Sequence, residues 1–553
     1  MPEFRLWNSL QYLFHPTNQH MQIQGKNIIG YQLSAAGDKQ FQSYVPAQDT
    51  YLPEKFHTAT PEEVEQALTL AAQATLPYAS LAPSKRAAFL RAICEEIMAL
   101  GDDLLQRAHL ETGLPLARLQ GERGRTVNQL TQFADLIEEG SWVDATIDTA
   151  IPDRAPVPKP DLRKKQVPIG PVVVFGSSNF PFAYSVAGVD TGPALAAGNP
   201  VIVKAHPAHP GVSDLTAQAI VKAARDTGMP EGVFSMLYDD GYEVGTALVK
   251  HPVTKAVGFT GSFRGGMALY KMAQEREEPI PVFAEMGSVN PVVILPQTLD
   301  ARKELLAKTL AGSVTLGVGQ FCTNPGLVFT VKSEATAVFE HLYKAEIEKA
   351  ARGTMLTKGI CENYKRLSEL ALSQSGTVLL AKTLEEATAS NQAEAIILKT
   401  TGKVFLENPQ LHEEVFGPFS VLVEFEDISE MKKAISLLKG QLTVSLFAEP
   451  AEAAENPEII QLLGQKSGRF IMNGVPTGVE VCASMHHGGP FPATTDARFT
   501  SVGRHAIYRF TRPQSYQDWD DSLLPPELQN RNPLGIYRLV NNVWTNKPVN
   551  AGQ

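Results

Sequence analysis

Cysteine is scarce in this chain, whose 553 residues include only four. They lie far apart, without a CxxC pair and without the spacing of a zinc-binding module: Cys94, Cys322, Cys361 and Cys482. This spacing excludes a disulfide framework and a cysteine-rich structural zinc site. Because so few cysteines are typical of a reducing compartment, we expect a cytoplasmic protein.

The chain also lacks an excess of basic residues and a long apolar run. The net charge is −10, which argues against nucleic acid or an anionic membrane as a partner, because phosphates are bound by a surplus of Lys and Arg. No apolar run is long enough to span a bilayer. We therefore expect small-molecule chemistry, with no nucleic-acid partner and no membrane.

The first residues do not have the pattern of a secretory signal. Residues 1–20 contain Phe, Leu and Trp, but no continuous apolar segment followed by a small-residue cleavage site. A more ordinary start follows at Met21. We interpret residues 1–20 as a disordered leader or tag and exclude them from the fold prediction.

Strand and helix patterns alternate along most of the chain. Its length exceeds that of one ordinary core, so we expect two large domains or two plus a smaller one. Short, continuously apolar runs predict strands buried on both faces of a parallel sheet. These runs and the helical patterns between them are 171–175, 200–204, 212–227, 233–237, 241–250 and 256–260. The alternation predicts a doubly wound α/β sheet that holds ligands beyond the carboxyl ends of its strands.

Further helices are predicted before this sheet, and a second α/β unit after it. Thr60 and Pro61 indicate a helix start, and apolar steps of three and four residues predict helices over 84–100 and 117–139. Four prolines between 141 and 167 indicate a hairpin or arm. A strand at 290–295 opens a second alternation, which continues to about residue 473.

The stretch 317–324, Gly-Val-Gly-Gln-Phe-Cys-Thr-Asn, places one cysteine on a predicted tight loop. Gly317 and Gly319 permit a sharp turn whose amide groups point into a cavity and can hold an oxyanion. Cys322 is therefore a candidate nucleophile, although a packing role is an alternative. A nucleophilic thiol needs a polar or positive setting that lowers its pKa, so we expect such a setting around Cys322.

Four short stretches together, in their order and spacing, resemble the aldehyde dehydrogenase superfamily. They are Ser-Asn-Phe-Pro at 178–181, Phe-Thr-Gly-Ser at 259–262, Glu-Met-Gly at 285–287 and Gly-Gln-Phe-Cys at 319–322. With Glu-Glu-Val-Phe-Gly-Pro at 413–418, the resemblance covers about residues 40–510. It implies NAD(P)-dependent oxidation of an aldehyde to a carboxylic acid through a cysteine thiohemiacetal and thioester.

The resemblance also implies the aldehyde dehydrogenase fold, with a Rossmann-like cofactor domain, an α/β catalytic domain and a small β oligomerisation arm. We assign residues 21–140 and 168–286 to the NAD(P)-binding domain and 287–485 to the catalytic domain. Residues 141–167 and 486–553 form the predicted oligomerisation arm and C-terminal tail. A homodimer or homotetramer is therefore expected.

Roles for three catalytic residues follow from the resemblance. Cys322 is the nucleophile, Asn179 donates to the oxyanion beside the Cys322 N–H, and Glu285 is the general base for hydrolysis. The less favoured alternatives are a turn-capping role for Asn179 and a solvated carboxylate before a glycine for Glu285.

Cofactor residues follow in the same way. Lys204 resembles the lysine that bonds the adenosine ribose, although alone it would be a plain surface lysine. The other implied cofactor residues are Phe259, Thr260, Gly261, Ser262 and Gly266 in a strand–turn–helix loop, with Ser262 meeting the pyrophosphate, and Glu414 and Phe416 at the nicotinamide ribose and ring.

Two positions depart from the family pattern. The glutamate that commonly follows the lysine by three positions and repels a 2′-phosphate is Pro207 here. We therefore favour NADP over NAD as cofactor, with His206 or Lys204 as the phosphate partner. The usual tryptophan of the loop before Asn179 is Ser178 here, a departure that concerns the packing of that loop.

The C-terminal part, at 473–481, 487–494 and 523–540, resembles the branch that oxidises α-ketoglutaric semialdehyde (2,5-dioxopentanoate) to 2-oxoglutarate. Such a substrate needs a cation for its carboxylate, and Arg125 is the candidate. Alternatives are Arg504 in this role, or a structural pairing of Arg123 or Arg125 with Glu122. His486 and His487 suggest no metal site, because no third ligand stands at a useful spacing.

Rival functions remain open. A fatty or medium-chain aldehyde dehydrogenase would need an apolar channel, and a CoA-acylating enzyme often lacks the hydrolytic glutamate. A catalytically silent structural or binding paralogue would be expected to lose Cys322, Asn179 or Glu285, all of which are present.

Overall fold

The structure, a computed structural model, describes residues 22–549, so the predicted leader lies outside the described part. The α-helices within this range are α1 Pro61–Ala79, α2 Pro83–Ala99, α3 Gly101–Thr112, α4 Leu116–Glu139, α5 Thr191–Ala197, α6 Pro210–Asp226, α7 Glu243–Lys250, α8 Phe263–Gln274, α9 Pro296–Thr315, α10 Glu334–Glu348, α11 Lys358–Leu372, α12 Gly402–Glu407, α13 Ile428–Leu437, α14 Pro450–Glu455 and α15 Pro457–Lys466.

The strands in the same range are β1 Asn27–Ile29, β2 Gln32–Ser34, β3 Gln40–Val45, β4 Thr50–His57, β5 Thr146–Asp148, β6 Leu162–Pro168, β7 Val172–Phe175, β8 Val201–Lys204, β9 Phe234–Leu237, β10 Ala256–Thr260, β11 Val282–Glu285, β12 Val292–Ile294, β13 Leu327–Val331, β14 Gly353–Thr354, β15 Val378–Lys382, β16 Gln392–Ala393, β17 Ile396–Thr401, β18 Phe419–Phe425, β19 Gln441–Phe447, β20 Ser467–Met472, β21 Thr511–Gln517, β22 Arg538–Val540 and β23 Val543–Thr545.

The first large sheet has the strand order β11-β10-β7-β8-β9-β1-β2. Strands β11, β10, β7, β8 and β9 are parallel, whereas β1 runs antiparallel to both of its neighbours. The chain order reverses beside β7, and this reversal makes the carboxyl edge of the parallel strands the expected place for a ligand.

Helices cover both faces of this sheet. Val172 and Val174 of β7 join one apolar cluster, while Val173 between them joins a separate cluster on the opposite face. Because successive side chains of a strand point to opposite faces, the strand is buried on both sides. Each fully buried Val contributes about 1.5–3 kcal/mol of transfer free energy, which explains the continuous apolar runs.

The second large sheet has the order β15-β17-β18-β13-β12-β19-β20. Its strands are parallel except for β15, which pairs antiparallel with β17. The predicted doubly wound α/β architecture with a second α/β unit is thus confirmed.

A third sheet, of five strands, has the order β21-β6-β5-β22-β23. Strands β5 and β6 pair antiparallel, so the predicted hairpin between 141 and 167 is present. The C-terminal strands join the same sheet, but residues 487–501 lie elsewhere, against Glu285 at the end of β11.

Most predicted helices and strands of the N-terminal half are confirmed within a few residues. Helix α1 begins after Thr60, whose side chain and backbone exchange hydrogen bonds with Glu63 in a capping box. Strands β1 to β4 were not predicted, because β1 and β2 have only three residues each and β4 is largely exposed, so they give no clear alternation. Across residues 22–549, no helix is both long and apolar enough to cross a membrane.

Candidate active site

The loop that carries Cys322 is a left-handed turn at the end of α9. Gly317, Val318 and Gly319 have φ values of 56°, 58° and 61°. Such values cost a glycine little but strain a β-branched valine, so the turn depends on the packing around it. A Cβ atom on Gly319 would lie 2.2 Å from the carbonyl oxygen of Gly417, so only glycine allows the 413–418 segment to approach this closely.

The side chains of Cys322, His487 and Glu285 come from distant parts of the chain and lie in contact with one another. The Sγ atom of Cys322 lies 3.5 Å from Nε2 of His487, and that nitrogen lies 3.0 Å from Oε1 of Glu285. Ser501 donates a hydrogen bond of 2.6 Å to the other oxygen of Glu285. Glu285 and His487 are buried, whereas Cys322 is partly exposed. The arrangement places a thiol, an imidazole and a carboxylate in one chain of contacts.

Burial raises the pKa of the Cys322 thiol well above its ordinary value, and the Glu285 carboxylate raises it further. Arg125 opposes this shift but does not outweigh it. The expectation that the surroundings would lower this pKa is therefore wrong for the protein without cofactor. The thiol is protonated at neutral pH and needs a base to become a nucleophile.

The Glu285 carboxylate, rather than the Cys322 thiol, is the candidate for an ionised group at this site. Burial alone would raise its pKa, but His487, Ser501 and Cys322 hold it below the ordinary value through charge and hydrogen bonds. Glu285 is therefore charged at neutral pH and able to accept a proton.

Asn179 lies on the other side of the nucleophile loop. Its side-chain amide donates a hydrogen bond of 3.1 Å to the carbonyl oxygen of Gln320, and the residue is buried. Within residues 22–549, the backbone N–H of Cys322 has no hydrogen-bond acceptor. The Asn179 amide contacts the same loop that carries the Cys322 N–H, so these two groups are the candidate donors for an oxyanion.

The candidate cofactor residues lie along the carboxyl edge of the first sheet. Lys204 ends β8 and donates to the carbonyl oxygen of Asp239 at 2.6 Å. Ser262 caps α8 by accepting from Gly265 N, and the N–H of Gly261 donates to the carbonyl oxygen of Glu285. Phe259 and Thr260 end β10, one strand from Glu285. The exposed N-terminus of α8 can bind a pyrophosphate, so these residues fit a dinucleotide.

Gly266, Glu414 and Phe416 are the remaining candidate cofactor residues. A Cβ atom on Gly266 would lie 2.7 Å from Met286, so glycine is needed for the helix to pack there. Glu414 accepts a hydrogen bond from Ser288 N, and burial raises the pKa of Glu414 to about 7. Phe416 lines a small cavity with Glu414 and Phe321.

His206 is poorly suited to bind a phosphate. Its Nδ1 accepts from Ala208 N at 3.1 Å, and its ring stacks on His209. Burial, and then the neighbouring His209 and Lys204, lowers the pKa of His206 well below the ordinary value. The ring is therefore neutral at physiological pH and offers no charge.

Three arginines lie near Cys322 or the loop that carries it, and we call them the arginine cluster. Arg118 donates to the carbonyl oxygen of Asn179, and its other terminal nitrogen is buried without a partner in the described chain. Arg125 contacts the hydroxyl of Tyr184 at 3.4 Å, and its Nε is likewise unpartnered. Arg469 on β20 also has an unpartnered Nε, and burial lowers its pKa while Cys322 and Tyr184 oppose that shift.

The other residues weighed for this role have different partners. Glu122 accepts from the backbone N–H groups of residues 182 and 183, at 2.8 and 3.0 Å. Arg123 donates to the carbonyl oxygen of Gly101, and Arg504 pairs with Glu139. Arg123 and Arg504 thus have structural partners, whereas Arg125 acts through its charge on both Glu122 and Cys322.

His487 and Ser501 were not predicted as site residues. In the folded chain His487 does have further ligand atoms beside it, contrary to the expectation from sequence spacing. They belong to Cys322 and Glu285, which lie 165 and 202 positions away along the chain. The one sequence signal for this contact was the His-Gly-Gly-Pro stretch at 487–490, whose glycines permit close backbone approach.

Comparisons with known proteins identify the family of this chain. The sequence model described as the aldehyde dehydrogenase family matches residues 33–492. The chain is 48% identical to "Alpha-ketoglutaric semialdehyde dehydrogenase 2" of Azospirillum brasilense, over 94% of this chain and 99% of the relative. It is 45% identical to "Alpha-ketoglutaric semialdehyde dehydrogenase" of Acinetobacter baylyi, with the same coverages.

A solved structure of PnpE in complex with nicotinamide adenine dinucleotide has a similar fold. Its TM-score to this chain is 0.74 at 21% identity, and the match covers 89% of this chain and 97% of that one. At this identity the likeness concerns the fold alone, and it confirms the predicted fold class.

Proposed function

The chain belongs to the aldehyde dehydrogenase family, and we propose that it oxidises 2,5-dioxopentanoate to 2-oxoglutarate with a nicotinamide dinucleotide as electron acceptor. The observation that carries the proposal is the contact chain from Cys322 through His487 to Glu285. The names and the identities of the two relatives support the choice of substrate.

The first step is attack of Cys322 on the aldehyde carbon. His487 lies close enough to the sulfur to take up the thiol proton, and Glu285 stabilises the resulting imidazolium. A carbon–sulfur bond forms, and the former carbonyl oxygen becomes an oxyanion. Asn179 and the Cys322 N–H are positioned to stabilise that oxyanion.

The second step converts the thiohemiacetal into a thioester. When bound, the nicotinamide ring accepts the hydride that leaves the substrate carbon. Lys204, Ser262 and Glu414 are the residues we expect to hold the dinucleotide along the sheet edge. The oxyanion collapses to a carbonyl, so the acyl group remains on Cys322.

The last step is hydrolysis. Glu285 removes a proton from water, which attacks the thioester and releases the acid and the Cys322 thiol. Over the cycle one aldehyde, one oxidised cofactor and one water give one carboxylic acid, one reduced cofactor and one proton.

The arginine cluster supports a substrate with a carboxylate at the end remote from the aldehyde. Arg118 and Arg125 lie over the aromatic rings of Phe180, Phe321 and Tyr184, and both side chains are partly buried. A partly desolvated guanidinium with free N–H groups binds a carboxylate well. A fatty aldehyde would leave these cations unpaired.

The proposed preference between NADP and NAD rests on the residue at position 207. Because a proline stands where the repelling glutamate would be, we propose that the enzyme accepts NADP at least as well as NAD. We propose Lys204 as the phosphate partner, because it stands at the carboxyl end of β8.

The proposed assembly is a homodimer or homotetramer built through the five-stranded sheet. Its edge strand β23 exposes Val543 and Trp544 by 63% and 59%, which is costly for a free sheet edge. Light scattering should give a mass above one chain, and a monomer would contradict the assembly. Four free cysteines support a cytoplasmic location.

An activity grid tests the function. The intact protein is assayed with 2,5-dioxopentanoate, pentanal and decanal, each with NAD and NADP, by nicotinamide absorbance. We expect the highest kcat/KM for 2,5-dioxopentanoate, without acyl-CoA formation when coenzyme A is added. A preference for decanal would contradict the substrate, and no turnover with any aldehyde would indicate a silent paralogue.

A further inference from the structure

The side chains of Glu285, Cys322 and His487 form a compact group of three different ligand atoms. A carboxylate oxygen, a sulfur and an imidazole nitrogen all lie within 4.8 Å of one another. Within residues 22–549 this is the one such group of three His, Cys, Asp or Glu side chains.

The spacing of these atoms fits a zinc ion. Bond lengths of about 2.3 Å to sulfur and about 2.0–2.1 Å to nitrogen, at tetrahedral angles, place the two ligand atoms about 3.5 Å apart. The observed distance from Cys322 Sγ to His487 Nε2 is 3.5 Å. A similar construction for nitrogen and oxygen gives about 3.4 Å, and the distance from His487 Nε2 to Glu285 Oε1 is 3.0 Å. The sulfur and the carboxylate oxygen lie within 4.8 Å of each other, so side-chain rotation completes the three bonds.

The chemical types of the three ligand atoms also determine which metal ion binds. A thiolate and an imidazole are soft or borderline ligands that favour Zn²⁺ over Mg²⁺ and Ca²⁺, which require an oxygen shell. Three protein ligands leave the fourth tetrahedral position for water, as in open zinc sites. Because Cys322 is partly exposed, an ion can reach its sulfur from solvent.

We propose that this enzyme has an inhibitory zinc site formed by Cys322, His487 and Glu285. Binding forms a metal–sulfur bond, and the thiol proton leaves to solvent, without any change of oxidation state. The zinc ion is then bonded to the proposed nucleophile Cys322, to the proposed general base Glu285 and to His487, which lies between them. Zinc and aldehyde therefore exclude each other, and chelation of the metal restores activity.

The surroundings indicate reversible rather than permanent binding. The Nδ1 atom of His487 is buried without a hydrogen-bond partner among the described residues. Metal-binding histidines usually donate from the second nitrogen, and loss of that contact lowers affinity by about 10- to 100-fold. The site is thus suited to a zinc ion that dissociates.

Cobalt binding and zinc inhibition test the site in the intact protein. With Co²⁺ as a spectroscopic probe, we expect one equivalent to bind with a sulfur-to-cobalt absorption band that Cys322→Ser abolishes. His487→Asn should weaken Co²⁺ and Zn²⁺ binding by about 100-fold or more, because a direct ligand is lost rather than a supporting contact. Zinc should inhibit the wild type competitively with aldehyde, and Mg²⁺ should not.

Two neighbouring residues supply the controls. His486 and Cys482 are of the same types but lie outside the group of three. His486→Asn and Cys482→Ser should bind Co²⁺ and Zn²⁺ like the wild type. A band that persists in Cys322→Ser, or equal zinc affinity of His487→Asn and the wild type, would overturn the proposal. Either result leaves the dehydrogenase assignment intact, because that rests on turnover without added metal.

Discussion

Nε2 of His487 lies 3.0 Å from Oε1 of Glu285 and 3.5 Å from Sγ of Cys322. One imidazole nitrogen thus connects the proposed nucleophile of the first half-reaction with the proposed base of the second. Ser501 holds the opposite oxygen of Glu285, so the carboxylate is fixed in place before substrate arrives.

The titration of Cys322 is the first prediction. Burial and then Glu285 raise its pKa, so alkylation by iodoacetamide should increase with pH and reach its midpoint above the free-cysteine value of about 8.5. In Glu285→Gln a negative neighbour is removed, the thiolate is less disfavoured, and the midpoint should move down. Both forms are measured without cofactor in a Cys482→Ser background, which removes the other partly exposed thiol. An unchanged or higher midpoint in Glu285→Gln would contradict the role of the carboxylate charge.

Loss of the hydrolytic base should separate the two half-reactions. In Glu285→Gln we expect a burst of about one reduced cofactor per active site, followed by steady-state turnover slower by about 100-fold or more. Stopped-flow absorbance measures both phases. If steady-state turnover were unchanged, Glu285 would not be the base.

The arginine cluster should govern substrate choice. Charge-assisted hydrogen bonds contribute about 1.5–3 kcal/mol, so Arg118→Met or Arg125→Met should lower kcat/KM for 2,5-dioxopentanoate by about 10- to 100-fold. For pentanal, which has no carboxylate, the same variants should remain close to wild type. Equal losses for both aldehydes would indicate a structural role for these arginines instead.

Position 207 should control the cofactor. Pro207→Glu introduces a charge that repels a 2′-phosphate, and we expect kcat/KM for NADP to fall by about 10- to 100-fold while NAD is retained. Pro207→Gln is the matched control, because it changes shape without adding charge. If NADP were already rejected by the wild type, the proposed preference would be wrong.

The sequence predicted the parts of the molecule that local chemistry determines. Strands such as β7 and β8 are buried on both faces, so their apolar runs are continuous and recognisable. The turn before Cys322 requires positive φ, and glycines at 317 and 319 indicate it.

Other features depend on contacts that no local pattern contains. His487 reaches Cys322 across 165 residues, and Arg469 approaches the same site from the far edge of the second sheet. The raised pKa of Cys322 arises from burial, which the amino-acid types around it in sequence do not reveal. Such properties belong to the folded chain.

Mass spectrometry of a trapped intermediate tests the central claim most directly. Glu285→Gln is mixed with 2,5-dioxopentanoate and cofactor, quenched in acid during the burst and digested. The account predicts an acyl group on the peptide that contains Cys322, in proportion to the cofactor reduced, and none in Cys322→Ala. Reduced cofactor without acylated Cys322, or an acyl group on another residue, would contradict it.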